Sequence, residues 1–308
     1  MTTATTPPSA GPSVRVRGLR KAYKDVTAVD GIDLDISHGE VFALLGPNGA
    51  GKTTTVEILE GYRQRDGGEV SVLGADPGRG GREWRSRLGI VLQSNTDADE
   101  LTVREMIGYF AAYYPNRADP DEVIESVGLT EKAGSKLRQL SGGQRRRVDV
   151  ALGIVGRPEL LFLDEPTTGF DPEARRQFWQ LIKSLADGGT TILLTTHYLD
   201  EAEALAHRVG VIAAGRIRAV GPPAELGGRG RARATVSWLS GEGRRSVEPD
   251  TPSAVVTQLA ARFGGEVPEL TVTRPSLEDV YLAMIGHGAG SSQDSPSAQS
   301  PATSGAGK

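Results

Sequence analysis

Residues 41–53 read VFALLGPNGAGKT: an apolar run, a glycine-rich loop, and a lysine followed by a threonine. An unbroken apolar run that stops at Gly46 and Pro47 is typical of a fully buried strand in a parallel sheet. The loop matches the pattern G-x-x-x-x-G-K-[ST], and a helical pattern follows it over residues 51–61. Together this strand, loop and helix predict an α/β fold with a phosphate-binding loop.

The composition of this loop has a chemical reason. Glycines allow backbone N–H groups to turn inward around phosphate oxygens, and the following helix adds the positive end of its dipole. We expect Lys52 to neutralise charge on the β- and γ-phosphates and the Thr53 hydroxyl to ligate Mg²⁺. An ordinary glycine-rich turn is the alternative. The predicted nucleotide-binding residues are Gly46, Pro47, Asn48, Gly49, Ala50, Gly51, Lys52, Thr53 and Thr54.

Apolar runs of the same kind recur later in the chain and predict further buried strands. Residues 160–163 and 191–194 are such runs, and helical patterns follow them over 172–186 and 200–207. Because strands and helices alternate, we expect a mostly parallel sheet with helices on its faces.

Two other regions differ from this pattern. Residues 14–16 and 26–36 alternate apolar and polar side chains, as half-buried antiparallel strands do. Between Gln93 and Gly156 the sequence has no strand pattern, which predicts a helical insertion. Its helices are expected over residues 105–114, 120–127 and 143–155.

A second motif, LFLDE at 161–165, is an apolar strand that ends in two carboxylates. Doubly wound sheets bind ligands at this end of their strands. We expect Asp164 to hold Mg²⁺, directly or through water, and Glu165 to orient and deprotonate the attacking water. The alternative is a helix cap, since Asp-Glu-Pro also starts turns.

A third motif, LSGGQ at 140–144, is followed by three arginines, Arg145 to Arg147. Ser141 could cap a helix that begins near Gly143, and paired glycines expose N–H groups to an anion. For the three arginines the preferred interpretation is a solvated basic face of that helix.

The ends of the chain differ in composition from its centre. Residues 1–13 and 286–308 are small, polar and proline-containing, and we predict that they are disordered. A glycine- and arginine-rich stretch at 227–231 suggests a boundary between a domain over 14–228 and a small C-terminal α+β domain over 229–285. The small domain is expected to contain strands at 234–238, 245–248 and 270–273 and helices at 253–263 and 277–285.

Composition excludes several classes of protein. The chain has 308 residues, no cysteine and four histidines, so disulfides and thiolate sites are impossible and a histidine metal cluster is not expected. Its net charge of −4 argues against nucleic acid as a partner. No apolar stretch approaches the roughly 20 residues of a spanning helix, and the N-terminus lacks a secretory signal pattern. We therefore expect a cytoplasmic chain unless another chain anchors it.

Taken in their order, the three motifs resemble those of the nucleotide-binding subunit of ABC transporters over residues 14–228. The resemblance implies the P-loop NTPase fold. This fold has a RecA-like parallel sheet core, an antiparallel β subdomain and a helical signature subdomain over about 94–156. It also implies that a second subunit's nucleotide site is completed in trans by Ser141, Gly142, Gly143, Gln144 and Asp171.

The same resemblance implies roles for three isolated residues. Gln93 would contact Mg²⁺ and the attacking water, His197 would contact the γ-phosphate, and Tyr23 would stack on adenine. Each has a plainer alternative: a core tyrosine for Tyr23, an ordinary strand-end amide for Gln93, and a core or capping histidine for His197. All of these motifs and single residues occur in the same order as in the family, which favours the functional interpretation of each residue.

The function that the resemblance implies is an ATP-hydrolysing subunit that binds ATP and Mg²⁺. It would pair with a second copy or a paralogous subunit and work with permease subunits from another gene, on the cytoplasmic side of the cell membrane. Residues 274–282, RPSLEDVYL, resemble the closing motif of ATPases similar to daunorubicin-resistance pumps, which suggests export of drugs or other small hydrophobic molecules. Ser276 and Asp279 fit a helix cap equally well.

Residues 94–104 are the candidate contact with the permease, because they link Gln93 to the helical insertion; a solvated loop is the alternative. Rival functions are a soluble ABC-type ATPase that acts on ribosomes, a nucleotide sensor without turnover, and a GTPase. The chain has one cassette and no cysteine, which disfavours the first, and its acidic balance disfavours RNA. Glu165 and His197 disfavour the second, and the absence of an [NT]-K-x-D motif disfavours the third.

Overall fold

The computed structural model of the chain describes residues 11–91 and 99–286, and within them it forms twelve strands and nine α-helices. Gln93, residues 94–98 and most of the two predicted disordered ends lie outside the described residues. The strands are β1 (Val14–Tyr23), β2 (Val26–Ile36), β3 (Val41–Leu45), β4 (Gly67–Val72), β5 (Leu88–Val91), β6 (Leu160–Asp164), β7 (Thr191–Thr196), β8 (Arg208–Ala213), β9 (Arg216–Gly221), β10 (Thr235–Ser240), β11 (Gly243–Val247) and β12 (Thr271–Thr273). The helices are α1 (Lys52–Leu59), α2 (Arg82–Arg85), α3 (Val103–Ala111), α4 (Pro120–Ser126), α5 (Gly142–Ile154), α6 (Pro172–Asp187), α7 (Leu199–Leu205), α8 (Pro252–Phe263) and α9 (Leu277–Gly286).

A six-stranded sheet in the order β5-β6-β7-β3-β8-β9 forms the centre of the molecule. Its strands run parallel except β9, which is antiparallel to β8. Side chains of β3 alternate between two cores: Phe42 and Leu44 enter one, while Val41, Ala43 and Leu45 enter the other. Because both faces are buried, the strand reads as an unbroken apolar run. The predicted mostly parallel sheet is confirmed.

One face of this sheet is covered by α1 and by an antiparallel sheet in the order β2-β1-β4. The two strands predicted there from alternation are confirmed, and β1 extends to Tyr23. Ser13, predicted to be disordered, is fully buried instead. Its Oγ lies 2.7 Å from His38 Nδ1 and 3.0 Å from Thr191 Oγ1, so the ordered chain begins before β1.

The other face is covered by helices. Residues 103–155 form the predicted helical insertion, with α3, α4 and α5 joined by two 3₁₀ turns. α3 begins two residues earlier than predicted, because Thr102 caps it in a capping box with Glu105. Met106, Ile124 and Ile154 fill the space between these helices and the sheet.

Four strands were not predicted: β4, β5, β8 and β9. β5 and β8 lie in the central sheet on either side of the predicted strands, and β9 forms an edge with alternating burial. β4 completes the antiparallel sheet beside β1.

The C-terminal part forms a three-stranded antiparallel sheet in the order β11-β10-β12, with α8 packed on it. Val236, Trp238, Leu259 and Val267 are its small core. α9, which was predicted as part of this small domain, packs on the main core instead. Leu277 is 1% exposed there, with Tyr281 and Met284 packed beside it.

A helix that spans a membrane needs roughly 20 predominantly apolar residues, and the helices of the described residues are shorter. The longest of them, α6, has 16 residues. Within 11–91 and 99–286, no helix combines the length and the apolarity needed to cross a bilayer.

Candidate active site

The phosphate-binding loop joins β3 to α1 and leaves no room for side chains at two of its glycines. A Cβ at Gly46 would lie 2.4 Å from the carbonyl oxygen of Ile212, and one at Gly51 would lie 2.3 Å from that of Ala28. Gly51 is also the N-cap of α1 with a φ of 104°, a conformation that glycine adopts without steric cost. Glycine at both positions lets the loop pass between β2 and β8.

Lys52 begins α1 and its side chain folds back over the loop. Its Nζ donates hydrogen bonds to the carbonyl oxygens of Gly46, at 2.7 Å, and Pro47, at 3.3 Å. Burial lowers the pKa of Lys52, while the nearby carboxylates of Glu165 and Asp164 raise it. The ammonium group therefore faces both acidic residues of the second motif.

Asp164 is the last residue of β6, and Glu165 follows it at the same edge of the sheet. Asp164 Oδ1 accepts a hydrogen bond from Thr195 Oγ1 on the adjacent strand β7. Glu165 has a φ of +44°, and its N–H donates to the Thr195 carbonyl oxygen over 3.1 Å. A non-glycine residue in this left-handed region costs about 1–3 kcal/mol, and it persists only where surrounding contacts hold it there. The contacts with β7 supply that constraint.

His197 follows β7 directly and reaches Glu165. Its Nδ1 lies 3.3 Å from Glu165 Oε1, and its side chain is 41% exposed, which contradicts the alternative of a core histidine. The N-cap of α7 is Tyr198 and makes no side-chain bond, so His197 does not cap that helix. The fold therefore brings Lys52, Asp164, Glu165 and His197 together at the carboxyl edge of the central sheet.

Tyr23 is the last residue of β1, and its ring is 37% exposed. The Arg63 guanidinium lies 5.2 Å from the ring centroid and the Lys21 ammonium lies 5.5 Å from it. This exposure contradicts the alternative of a core tyrosine and leaves an aromatic surface accessible to a base.

The third motif lies beside the loop that precedes α6. Ser141 and Gln144 form a capping box at the start of α5. Asp171 caps α6 by accepting bonds from the N–H groups of Glu173 and Ala174. α6 therefore starts here, and not at the Asp-Glu-Pro sequence, so the cap alternative for Asp164 and Glu165 is wrong.

Residues of both segments line one cavity of about 420 Å³, named here the signature cavity. Residues 46–54 are not among the described residues that line it. Within one chain, the fold thus separates the signature motif from the phosphate-binding loop. The lining of the signature cavity includes Ser141, Gly142, Gly143, Gln144, Gly169, Phe170 and Asp171.

Arg146 has a role that sequence reasoning missed. Its Nη2 donates to the Asp164 carbonyl oxygen at 2.9 Å and its Nε to that of Pro166 at 3.1 Å. Burial lowers the pKa of Arg146, and Asp149 and Asp164 act against that shift. The predicted solvated face is therefore wrong for Arg146, which ties the signature helix α5 to the end of β6.

Comparisons with known proteins agree with this geometry. The sequence profile described as "ABC transporter" matches residues 29–168. The daunorubicin resistance ATP-binding protein DrrA3 of Streptomyces coeruleorubidus is 38% identical over 309 residues, which cover 90% of this chain and 97% of that protein. The chain belongs to the ABC transporter family.

Two further proteins are similar to this ABC subunit over about two thirds of its length. The Nod factor export ATP-binding protein I of Burkholderia pseudomallei (strain 1710b) is 44% identical over 213 residues, 68% of this chain and 70% of that protein. The solved structure of cbiO1 from Clostridium perfringens, part of the ABC transporter complex cbiONQ, is 29% identical with a TM-score of 0.62. It covers 70% of this chain and 90% of that one.

These findings confirm the predicted family, the P-loop NTPase fold class and the ATPase class of this ABC subunit. The three proteins are named for drug resistance, for export or as part of a transporter complex. They give no support to the rival function of a soluble ATPase that acts on ribosomes.

The site has oxygen donors suited to a magnesium ion that arrives with a nucleotide. Mg²⁺ is usually held by one or two carboxylates together with substrate phosphates. Thr53 is exposed beside Lys52, and the Asp164 carboxylate is half-buried at the end of β6. Hydroxyl and carboxylate oxygens of this kind fit the ion. Gln93, the third predicted ligand, lies outside the described residues.

Proposed function

We propose that this ABC subunit hydrolyses ATP at a site shared between two nucleotide-binding subunits, and that it drives export of drugs or other small hydrophobic molecules. The observation that carries the proposal is the approach of His197 to Glu165, at 3.3 Å, beside Asp164 and Lys52. A base, a metal-binding carboxylate and a cation at the end of a phosphate-binding loop are the groups that phosphoryl transfer to water requires.

Nucleotide binding would use both ends of ATP. The exposed Tyr23 ring stacks on adenine, and the backbone of residues 46–54 surrounds the phosphates with the Lys52 ammonium among them. Lys52 then exchanges its bonds with the Gly46 and Pro47 carbonyls for phosphate oxygens. The N-terminus of α1 points its dipole at the same phosphates.

Hydrolysis would depend on Glu165, which follows β6, and on His197, which follows β7. Glu165 accepts a proton from water as it attacks the γ-phosphate in line, and His197 holds that phosphate from the end of the adjacent strand β7. Thr53, Asp164 and Gln93 would hold Mg²⁺. When bound, the ion neutralises charge that develops on the phosphates.

The shared site follows from where the fold places the signature motif. None of residues 46–54 is among the described residues that line the signature cavity. Gly142 and Gly143 begin α5, where the first backbone N–H groups of the helix have no partner within it. We infer that Ser141, Gly142, Gly143, Gln144 and Asp171 complete the site of a facing subunit. ATP would thus hold two subunits together, and charge repulsion between the products would separate them.

The partner in this pairing is a second copy of the chain or a paralogous subunit. Permease subunits from another gene would receive the opening and closing motion, which places the chain at the cytoplasmic side of the cell membrane. The kinship with a daunorubicin resistance protein over 90% of the chain supports a drug-like cargo. Nucleic acid is not among the proposed partners.

Substitution of Glu165 by glutamine tests the proposed reaction. Glu165→Gln keeps the shape of the side chain but removes the base, so turnover should fall roughly 10²-fold or more while ATP binding persists. The ATP-bound subunits of this variant should then accumulate as pairs. Phosphate release measures turnover, a fluorescent ATP analogue measures affinity, and light scattering with ATP and Mg²⁺ measures pairing.

Glu131→Gln is the matched control, because Glu131 is exposed in a 3₁₀ turn of the helical insertion. It should hydrolyse ATP at the wild-type rate. Normal turnover in Glu165→Gln would remove Glu165 from its proposed role, and loss of ATP binding in that variant would contradict the division between binding and hydrolysis.

A further inference from the structure

The His197 imidazole is the first member of a stack of three side chains. Its ring centroid lies 4.1 Å from that of Tyr198, with an angle of 39° between the ring planes. On the Tyr198 ring lies the Arg175 guanidinium, whose Cζ is 4.7 Å from the ring centroid. Ring stacking and cation–π contact are both attractive at these separations.

Arg175 and Tyr198 are each fixed by a second contact. Arg175 Nη1 donates to Asp200 Oδ2 at 3.0 Å, which connects α6 to the first turn of α7. The Tyr198 N–H donates to Thr196 Oγ1 at 3.0 Å, which sets the direction in which its side chain leaves the end of β7. The position of the Arg175 cation is therefore fixed, and Tyr198 contacts both this cation and the imidazole.

Contact with a neighbouring ring matters for the His197 imidazole, because the place of His197 in the chain leaves its side-chain rotamer free to change. His197 lies on the short segment between β7 and α7, and its side chain is 41% exposed. A half-exposed side chain on a connecting segment has several rotamers to choose among, and contact with Glu165 at 3.3 Å exists in few of them. A planar ring packed on the imidazole limits that choice.

We propose that Tyr198 and Arg175 are positioning residues that hold the His197 imidazole beside Glu165. This inference rests on the proposed function of His197 at the γ-phosphate. It also connects His197 to α6, because Arg175 lies one turn after Asp171, the N-cap of that helix and part of the lining of the signature cavity. A facing subunit that presses on this helix start would act on His197 through the stack.

The position of the imidazole can be tested without any turnover. The chain has four histidines, so ¹³C-histidine labelling of the full chain gives four imidazole signals, and His197→Ala identifies the one from His197. Because a neighbouring ring shifts the signals of protons above it, Tyr198→Ala should move the His197 signal and Tyr198→Phe should leave it close to its original position. Arg175→Ala should move or broaden the same signal. The exposed neighbour Arg176 supplies the matched control, Arg176→Ala, which should not.

Kinetics then test the consequence. Tyr198→Ala and Arg175→Ala should lower kcat roughly tenfold with little change in KM, because misplacing a reacting group costs rate and not binding. Tyr198→Phe should restore the rate. Added to His197→Ala, neither substitution should lower kcat further, since both act through that residue.

The outcomes separate the two proposals. If His197→Ala leaves turnover unchanged, the proposed function of His197 is wrong. If His197→Ala lowers turnover but Tyr198→Ala and Arg175→Ala leave both the His197 signal and kcat unchanged, the stack does not position the imidazole and this inference is overturned.

Discussion

Glu60 is a carboxyl group enclosed at the end of the helix that follows the phosphate-binding loop. It is the C-cap residue of α1 and is 7% exposed. Burial raises the pKa of Glu60 to about 8, and the negative charges of Asp164 and Glu57 act in the same direction. At neutral pH the group is therefore mostly protonated in the folded chain and ionised in the unfolded one.

This difference predicts how stability depends on pH. The ordinary pKa of 4.5 is below the folded value of about 8, so between them the folded state binds the extra proton. The contribution of Glu60 is therefore fully present below pH 4.5 and is lost as the pH rises through 8. Glu60→Gln should remove this slope and be more stable than the wild type at pH 8.5, by an amount on the order of a few kcal/mol.

Urea unfolding at pH 5, 6.5 and 8.5 measures the effect. Glu125→Gln, at an exposed position on α4, is the control and should follow the wild-type curve. Parallel pH curves for Glu60→Gln and the wild type would show that Glu60 ionises normally in the folded chain.

Among single residues, those in local motifs were predictable and those joined by the fold were not. The role of Lys52 depends on six preceding residues, and a short motif carries that information. Arg146 was misassigned because its acceptors, the carbonyl oxygens of Asp164 and Pro166, lie 18 and 20 residues away. In sequence, a buried arginine within an Arg-Arg-Arg run looks like its two neighbours.

At the scale of elements, α9 depends on a glycine in a different part of the chain. Gly227 has a φ of +61°, and a Cβ there would lie 2.4 Å from Val280 Cγ1 and 2.7 Å from Met284 Cε. Both of these residues belong to α9. The next residue, Gly228, has a φ of +82° and nothing within 4 Å of the Cβ position.

These adjacent glycines provide a matched pair of substitutions. Gly227→Ala and Gly228→Ala both force an alanine into a left-handed conformation, but only the first also collides with α9. Gly227→Ala should therefore be less stable than Gly228→Ala by about 1–3 kcal/mol, the usual cost of overpacking. Thermal unfolding measures the difference, and equal stability of the two variants would show that α9 does not pack tightly here.

Two of the strands that sequence reasoning missed, β5 and β8, were missed for the same physical reason. β5 and β8 are largely buried, yet each contains a glycine that interrupts its apolar run. A Cβ at Gly89 would lie 2.3 Å from the Gly153 carbonyl oxygen, and one at Gly210 would lie 2.8 Å from Phe42 Cζ. Close packing requires these glycines, but a strand pattern treats them as breaks. β3, β6 and β7 contain no glycine, so their apolar runs are unbroken and these strands were predictable.

For the whole molecule, the main expectation is pairing that depends on nucleotide. Ser141→Ala in the Glu165→Gln chain should reduce ATP-dependent pairing, because it removes a hydroxyl from the proposed facing site. Binding of one ATP to a single subunit should be unchanged. Light scattering measures pairing, and fluorescence titration at low protein concentration measures binding.

Thr102→Ala controls for the loss of a helix cap. Thr102 and Ser141 form the same kind of capping box, so each substitution costs about 1 kcal/mol in stability. Thr102→Ala should leave pairing intact. If Ser141→Ala abolishes nucleotide binding by the isolated subunit, the motif belongs to the subunit's own site and the shared arrangement is wrong.

The path of the chain around α9 has a practical consequence. The polypeptide leaves the main core at a 3₁₀ turn, Leu226–Arg231, builds the small sheet and returns as α9, and Arg229 Nε donates to the Pro275 carbonyl oxygen across the two crossings at 2.8 Å. Residues 232–274 thus form an insertion, here called the detour, whose two ends lie next to each other at this hydrogen bond. A truncation at 228 would strip Leu277 from the interior, whereas excising the detour and bridging its ends would preserve it. Exchange of this insert between related proteins needs a replacement whose two ends emerge side by side.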